Sequence, residues 1–110
     1  MSAVRSRPII QKGGYRNQRA RDAASGRDCT LRIPGWCTDR PETTVACHAN
    51  LLAAQKGMGH KASDFAIAFG CEGCHRWLDT GPAPLEEKSV EFLRGMLETL
   101  SILFREGVFR

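Results

Sequence analysis

Long hydrophobic runs are missing from this sequence. Nowhere do apolar residues approach the roughly 18 in a row that a bilayer span needs, which excludes a transmembrane helix. The first residues, MSAVRSRPIIQKGGYRNQRAR, are basic but have no apolar core of a secretory signal, so the chain is expected to be cytosolic. Internal repeats and low-complexity tracts are absent too, which argues against solenoids and arrays. The basic N-terminal stretch carries one aromatic, Tyr15, and so offers no base-stacking platform. An even cysteine count is also lacking. Five cysteines (Cys29, Cys37, Cys47, Cys71 and Cys74) in a cytosolic chain argue against a disulfide framework and for metal binding.

The 110 residues suit one small domain, 42% hydrophobic and 25% charged, short enough to benefit from a metal staple. Charge is uneven. Up to Asp28 there are seven basic residues against two acids, and beyond it nine against ten. A basic arm on a near-neutral body suits a polyanion such as nucleic acid, although a solvated tail has the same composition. Residues 1–14 are expected to be a flexible basic arm ahead of a single domain at 15–110, with Gly13-Gly14 as the break. A short helix is expected from Tyr15 to Ser25, stopped at Gly26. Pro34-Gly35 marks a turn that brings Cys29 and Cys37 together, and residues 38–42 read as a loop.

TTVACHAN (43–50) alternates like a strand, and FAIAF (65–69) reads as the return strand of a hairpin. Between them lies a glycine-rich basic loop with Lys56, His60 and Lys61, where His60 reads as merely exposed. A short helix is expected over about 72–79. The last segment, Glu86 to Arg105, places Val90, Leu93, Met96, Leu97, Leu100, Leu103 and Phe104 at helical spacing. They are expected to form one buried, core-packing stripe. Glu86 and Glu87 near its start and Arg105 near its end complement the helix dipole.

The stretch GCEGCHRWLD (70–79) concentrates ligands. Cys71 and Cys74 form a close thiolate pair at a helix start, and Cys29 and Cys37 form a second pair across a turn. Together they supply the four soft ligands of a tetrahedral structural zinc, with Trp36 and Trp77 packing around it. Against this stand two other readings: small buried cysteines at 29 and 37, and a redox pair at 71 and 74. No βαβ pattern surrounds the latter pair. Cys47 reads as a core residue. One metal does not explain the whole stretch. Neighbouring helical residues are turned about 100° apart, so His75 points away from the zinc. Asp79 lies four residues on and shares the His75 face. That face suits either a second, harder metal or an ordinary surface hydrogen bond.

A strand carrying a histidine, a loop, and then a helix opening with C-x-x-C-H resembles the HNH, or His-Me finger, nucleases. More narrowly, CTLRIPGWC (29–37), PETTVACHANL (41–51), KGMGHKASD (56–64) and GCEGCHRWLD (70–79) look like the phage and prophage nuclease family typified by YbcO. The resemblance covers roughly residues 15–110. It implies an α+β fold: a small, zinc-stabilised ββα-metal (treble-clef-like) core with flanking N- and C-terminal helices. It implies hydrolysis of DNA phosphodiesters, leaving a 5′ phosphate and a 3′ hydroxyl. By this resemblance His48 takes the general-base position. Asp64 stands near the middle asparagine of the motif and would hold the imidazole of His48 in the right tautomer. His75 and Asp79 take the positions that hold a catalytic divalent ion, Mg²⁺ or Mn²⁺. The chain departs from the pattern at Cys47, where many such enzymes carry Asp or His, at Asp64 in place of Asn, and at Asp79, where several carry His.

Arg16, Arg19, Lys56, Lys61 and Arg76 are candidate phosphate contacts, solvation being the plainer reading. The rival function is a zinc-stabilised module that binds nucleic acid or a phage protein and has no use for His48 as a base. A third is a structural zinc protein whose arm touches no nucleic acid. No base-reading helix stands out. A homodimer would allow both DNA strands to be cut, and the stripe of the last helix could serve core or interface. The expected setting is the cytoplasm of a bacterial host carrying the phage or prophage.

Overall fold

The computed structural model describes residues 15–49 and 63–109. The expected arm at 1–14, and Lys56, His60 and Lys61 of the glycine-rich loop, lie outside these residues. The fold is small and α+β. In chain order the elements are helix α1 (Gln18–Asp22), a 3₁₀ turn (Pro41–Thr43), strand β1 (Val45–His48), strand β2 (Ile67–Gly70), helix α2 (Glu72–Thr80) and helix α3 (Leu85–Arg105). β1 and β2 pair antiparallel, with Val45 opposite Gly70 and His48 opposite Ile67. No helix among the described residues is long and apolar enough to cross a membrane.

β2 is the centre of the molecule. All four of its residues are buried, so it is covered on both faces. Ile67 and Phe69 join Ala20, Ala24, Leu103 and Phe109 in one apolar cluster, while Ala66 and Ala68 face a second cluster that holds the cysteines. β1 covers one edge of β2. Residue Thr30 covers the other: its amide donates to the Phe69 carbonyl at 2.8 Å, and its hydroxyl pairs with that of Thr99 at 2.9 Å. The two hydroxyls receive the Phe69 amide at 3.1 and 3.2 Å, so no backbone group of Phe69 is left unpaired in the core.

Local chemistry sets each element's ends. Asn17 caps α1, its side chain accepting from the Ala20 amide at 3.1 Å. The helix is only five residues long, shorter than expected, because the chain turns at Ala23–Gly26 and Gly26 adopts φ +77°. Ile33–Trp36 closes as a turn with the Trp36 amide on the Ile33 carbonyl at 3.0 Å. Pro34 and left-handed Gly35 (φ +81°) are the residues a type II turn requires. α3 ends in a Schellman motif: the Val108 amide reaches the Leu103 carbonyl at 2.9 Å and the Gly107 amide reaches Phe104 at 3.1 Å.

Further expectations need correction. Strand β1 keeps only Val45–His48 of the expected 43–50, because Thr43 belongs to the 3₁₀ turn. Within 38–42, expected to be loop throughout, residues Pro41 and Glu42 already belong to the 3₁₀ turn. β2 starts two residues later than FAIAF, because Asp64–Ala66 forms a bend that leaves Phe65 exposed. Of the expected stripe on α3, Leu103 is buried and Met96 and Leu100 pack against the core, but Val90, Leu93, Leu97 and Phe104 are exposed, and the buried face runs instead through Phe92, Gly95, Thr99 and Leu103. The physical reason is close approach. A Cβ on Gly95 would lie 2.8 Å from the Leu31 side chain, and only the Thr99 face can deliver a hydroxyl to Phe69.

Candidate functional site

The four cysteines converge. The sulfurs of Cys29, Cys37, Cys71 and Cys74 all lie within 4.8 Å of one another, and those of Cys37 and Cys71 are 3.7 Å apart. A tetrahedral Zn²⁺ with bonds of about 2.3 Å needs sulfurs spaced by about 3.8 Å, so the cluster fits zinc. Backbone amides already point at the sulfurs. Arg32 and Cys71 donate to Cys29 at 3.4 Å each, Ile33 donates to Cys74 at 3.3 Å, and Thr38 donates to Cys71 at 3.3 Å. This is what thiolate charge requires. A hydrogen bond from Cys74, joined by these amides against the opposing effect of burial, pulls the Cys29 thiol down to about 4. The same contact pushes Cys74 up. In Cys71, burial raises the thiol, but hydrogen bonds from Thr38 and the Cys74 amide prevail and lower it. Gly73 makes the convergence possible: a Cβ there would sit 1.8 Å from the Trp36 carbonyl oxygen.

Cys47 stands apart. It is buried in the apolar cluster, and burial pushes its thiol up to about 12. It is a neutral core residue, unsuited to bind a hard cation.

A second constellation surrounds Asp64, whose side chain is fully buried. Its Oδ1 meets His48 Nε2 at 2.8 Å. Its Oδ2 accepts from the Asn17 amide at 2.7 Å and from Arg21, and Arg16 lies 3.6 Å from Oδ1. Burial alone would raise the Asp64 carboxyl. The Asn17 amide, His48 and the two arginines outweigh it and hold the carboxyl below its usual range. An ionised carboxylate only accepts, so Nε2 of His48 donates to it, and in the neutral form of the ring the lone pair then sits on Nδ1. The chain places these groups by running residues 15–17 beside 63–64: Tyr15 donates to Ser63 Oγ at 3.0 Å, and the Asp64 amide to the Tyr15 carbonyl at 2.8 Å.

His75 and Asp79 share the outer face of α2, with His75 Nε2 3.4 Å from Asp79 Oδ2 and both side chains about half exposed. α2 packs against both strands, and the charge of Asp79 is felt at Cys47 on β1. An imidazole and a carboxylate fit a divalent ion that completes its shell with water and phosphate oxygens. Arg19 and Arg76 are exposed, whereas Arg16 is drawn towards Asp64. Asn17 and Arg21 were not marked by the sequence as site residues. Asn17 fell inside the helix expected from Tyr15, and nothing local predicts that Arg21 meets a carboxylate 43 positions away.

With this geometry in view, comparison with known proteins is decisive. Residues 18–108 match the family described as "Putative nuclease YbcO". The chain belongs to the YbcO family. It is 36% identical over 92 residues to YbcO of Escherichia coli K12, spanning 82% of this chain and 95% of that protein. The ybcO protein of Enterobacteria phage 82 matches with the same figures. A solved structure described as a putative bacteriophage protein from E. coli K-12 superposes with a TM-score of 0.67 at 34% identity. It covers 81% of this chain and all of that one. The YbcO match contains every cysteine of the cluster together with His48, Asp64, His75 and Asp79; Arg16 lies just outside it.

Proposed function

We propose that the chain is a metal-dependent DNA endonuclease of the HNH, ββα-metal type. The observation that carries this reading is the contact between His48 and a buried, ionised Asp64. Burying a carboxylate is costly unless it is fully partnered. Asp64 spends that burial on fixing one tautomer of one partly exposed imidazole, which is what a general base needs. The order β1, β2, α2 with four converging cysteines supports the ββα-metal core, and the family match supports the nuclease class.

In this reading Nδ1 of His48 takes a proton from a water molecule as its oxygen attacks phosphorus. The bond from phosphorus to the 3′ oxygen breaks, leaving a 5′ phosphate and a 3′ hydroxyl. His75 and Asp79 would hold Mg²⁺ or Mn²⁺, which when bound stabilises charge at the phosphoryl group and the leaving oxygen. The Cys29, Cys37, Cys71 and Cys74 zinc is structural. Exposed Arg19 and Arg76 contact phosphates, while Arg16 and Arg21 serve Asp64; Lys56 and Lys61 lie outside the described residues. The protein works in the cytoplasm of a phage-carrying bacterium.

The test is cleavage of supercoiled and branched DNA with Mg²⁺, Mn²⁺ or EDTA, comparing wild type with His48→Ala and measuring zinc in both. Metal-dependent cutting that falls by about 10²-fold or more in a zinc-loaded His48→Ala protein is expected for loss of a general base. A zinc-loaded wild type that binds DNA and never cuts it would favour the binding module instead.

A further inference from the structure

The face of α3 turned away from β2 is apolar. Val90, Leu97 and Phe104 are 66%, 65% and 60% exposed, Leu93 is 42% exposed, and Leu100 is half-buried beside them. Single exposed leucines are ordinary; a continuous line of them marks an interaction surface. Positions 90, 93, 97, 100 and 104 follow one another at alternating intervals of three and four, the spacing of a heptad seam. At its C-terminal end the seam runs into stacked rings: Phe104 packs edge-on to Phe109 at 5.5 Å, and Phe109 to Tyr15 at 6.0 Å.

We propose that this seam joins two copies of the chain, α3 against α3, in antiparallel orientation. A heptad line fits another helix with the same repeat. Among the described residues α1 has five residues and α2 has nine with its apolar side committed to the core, so neither can lie along it. A second copy supplies the matching helix, and a two-fold axis makes the contact self-complementary. The seam exposes on the order of 500 Å² of apolar surface, as much as the largest patch on a typical monomer. The rest of the roughly 800 Å² per partner of a specific interface would come from its polar flanks.

Charge selects the orientation. The first turn of α3 is acidic, at Glu86 and Glu87, and its last turn carries Arg105. Parallel pairing would bring the two acidic first turns together. Antiparallel pairing opposes the helix dipoles and sets Glu87 near Arg105 of the second copy. Arg94, which borders the seam, is already paired with Glu91 at 3.3 Å and Glu98 at 2.8 Å. The inference does not depend on the nuclease reading.

Sedimentation equilibrium of the full, zinc-loaded chain over two decades of concentration tests it. The expected mass at the high end is twice the 12.2 kDa of the chain. Leu97→Glu should be monomeric with unchanged zinc content, and its thermal midpoint should match that of wild type at concentrations where wild type is itself monomeric, since Leu97 contributes little to the monomer's core. Glu87→Arg and Arg105→Glu should each weaken association by roughly tenfold, and the double variant should recover it. A monomeric wild type throughout, including one whose own residues 1–14 shield the seam, overturns the proposal. So does a dimer that survives Leu97→Glu. A double variant weaker than either single one overturns the antiparallel arrangement.

Discussion

Asp64 is fully buried and still ionised, and its partners come from both sides of the chain. The Asn17 amide and Arg21 tie it to the first helix, and His48 ties it to β1. One carboxylate therefore fixes the candidate base and docks the N-terminal segment. Its depressed carboxyl has a sign that can be tested. A group lowered in the folded state adds stability that is present above its unfolded value of about 3.9, and loses it as pH falls through the lower folded value. Asp64→Asn lacks that contribution. Urea unfolding from about pH 5 to about pH 3 should show wild type losing stability more steeply than Asp64→Asn. Acid release of zinc would affect both proteins alike, so equal slopes would contradict the assignment of Asp64 as an ionised, stabilised group.

At the scale of elements, α3 shows why apolar periodicity alone misplaced a face. The helix carries two candidate stripes. The strongly apolar one is exposed, and the buried one runs through Gly95 and Thr99. A hydrophobic count cannot see that glycine admits Leu31, or that a threonine hydroxyl must satisfy the edge of β2. Thr99→Val keeps the shape and removes the hydroxyl. It should lower stability by about 1–2 kcal/mol through the weakened Phe69 and Thr30 contacts, measured by denaturant titration. Glycine contacts give a matched pair of outcomes. Gly95→Ala meets a flexible leucine end at 2.8 Å and should cost about 1–3 kcal/mol with zinc retained. Gly73→Ala meets the Trp36 carbonyl at 1.8 Å and should separate the Cys29–Cys37 segment from α2, with zinc content falling below one per chain.

Across the whole molecule, the readable parts were those encoded locally. The C-x-x-C-H run, the Pro34-Gly35 turn, both strands and α3 as a helix each carry their signal within about ten residues. The pairing of Cys29 and Cys37 with Cys71 and Cys74 was legible because thiolates at these spacings have few other uses. The Arg21 link to Asp64 and the Thr30 link to Thr99 were not, since they depend on segments 43 and 69 positions apart. Cys29, Cys71 and Cys74 sit in the same cluster as Leu31, Ile33, Ala68, Trp77 and Phe92, joining the Cys29–Cys37 segment, β2, α2 and α3. A small domain held this way has its metal and its core in one cooperative unit. Cys37→Ser should therefore lose zinc and most of the thermal transition together. Cys47→Ser, in the same cluster but off the metal, should keep one zinc per chain and a cooperative transition at a lower midpoint, because a hydroxyl is then buried among apolar neighbours. Atomic absorption paired with calorimetry separates the two: if Cys47→Ser also lost its zinc, Cys47 would belong to the metal site and not to the packing.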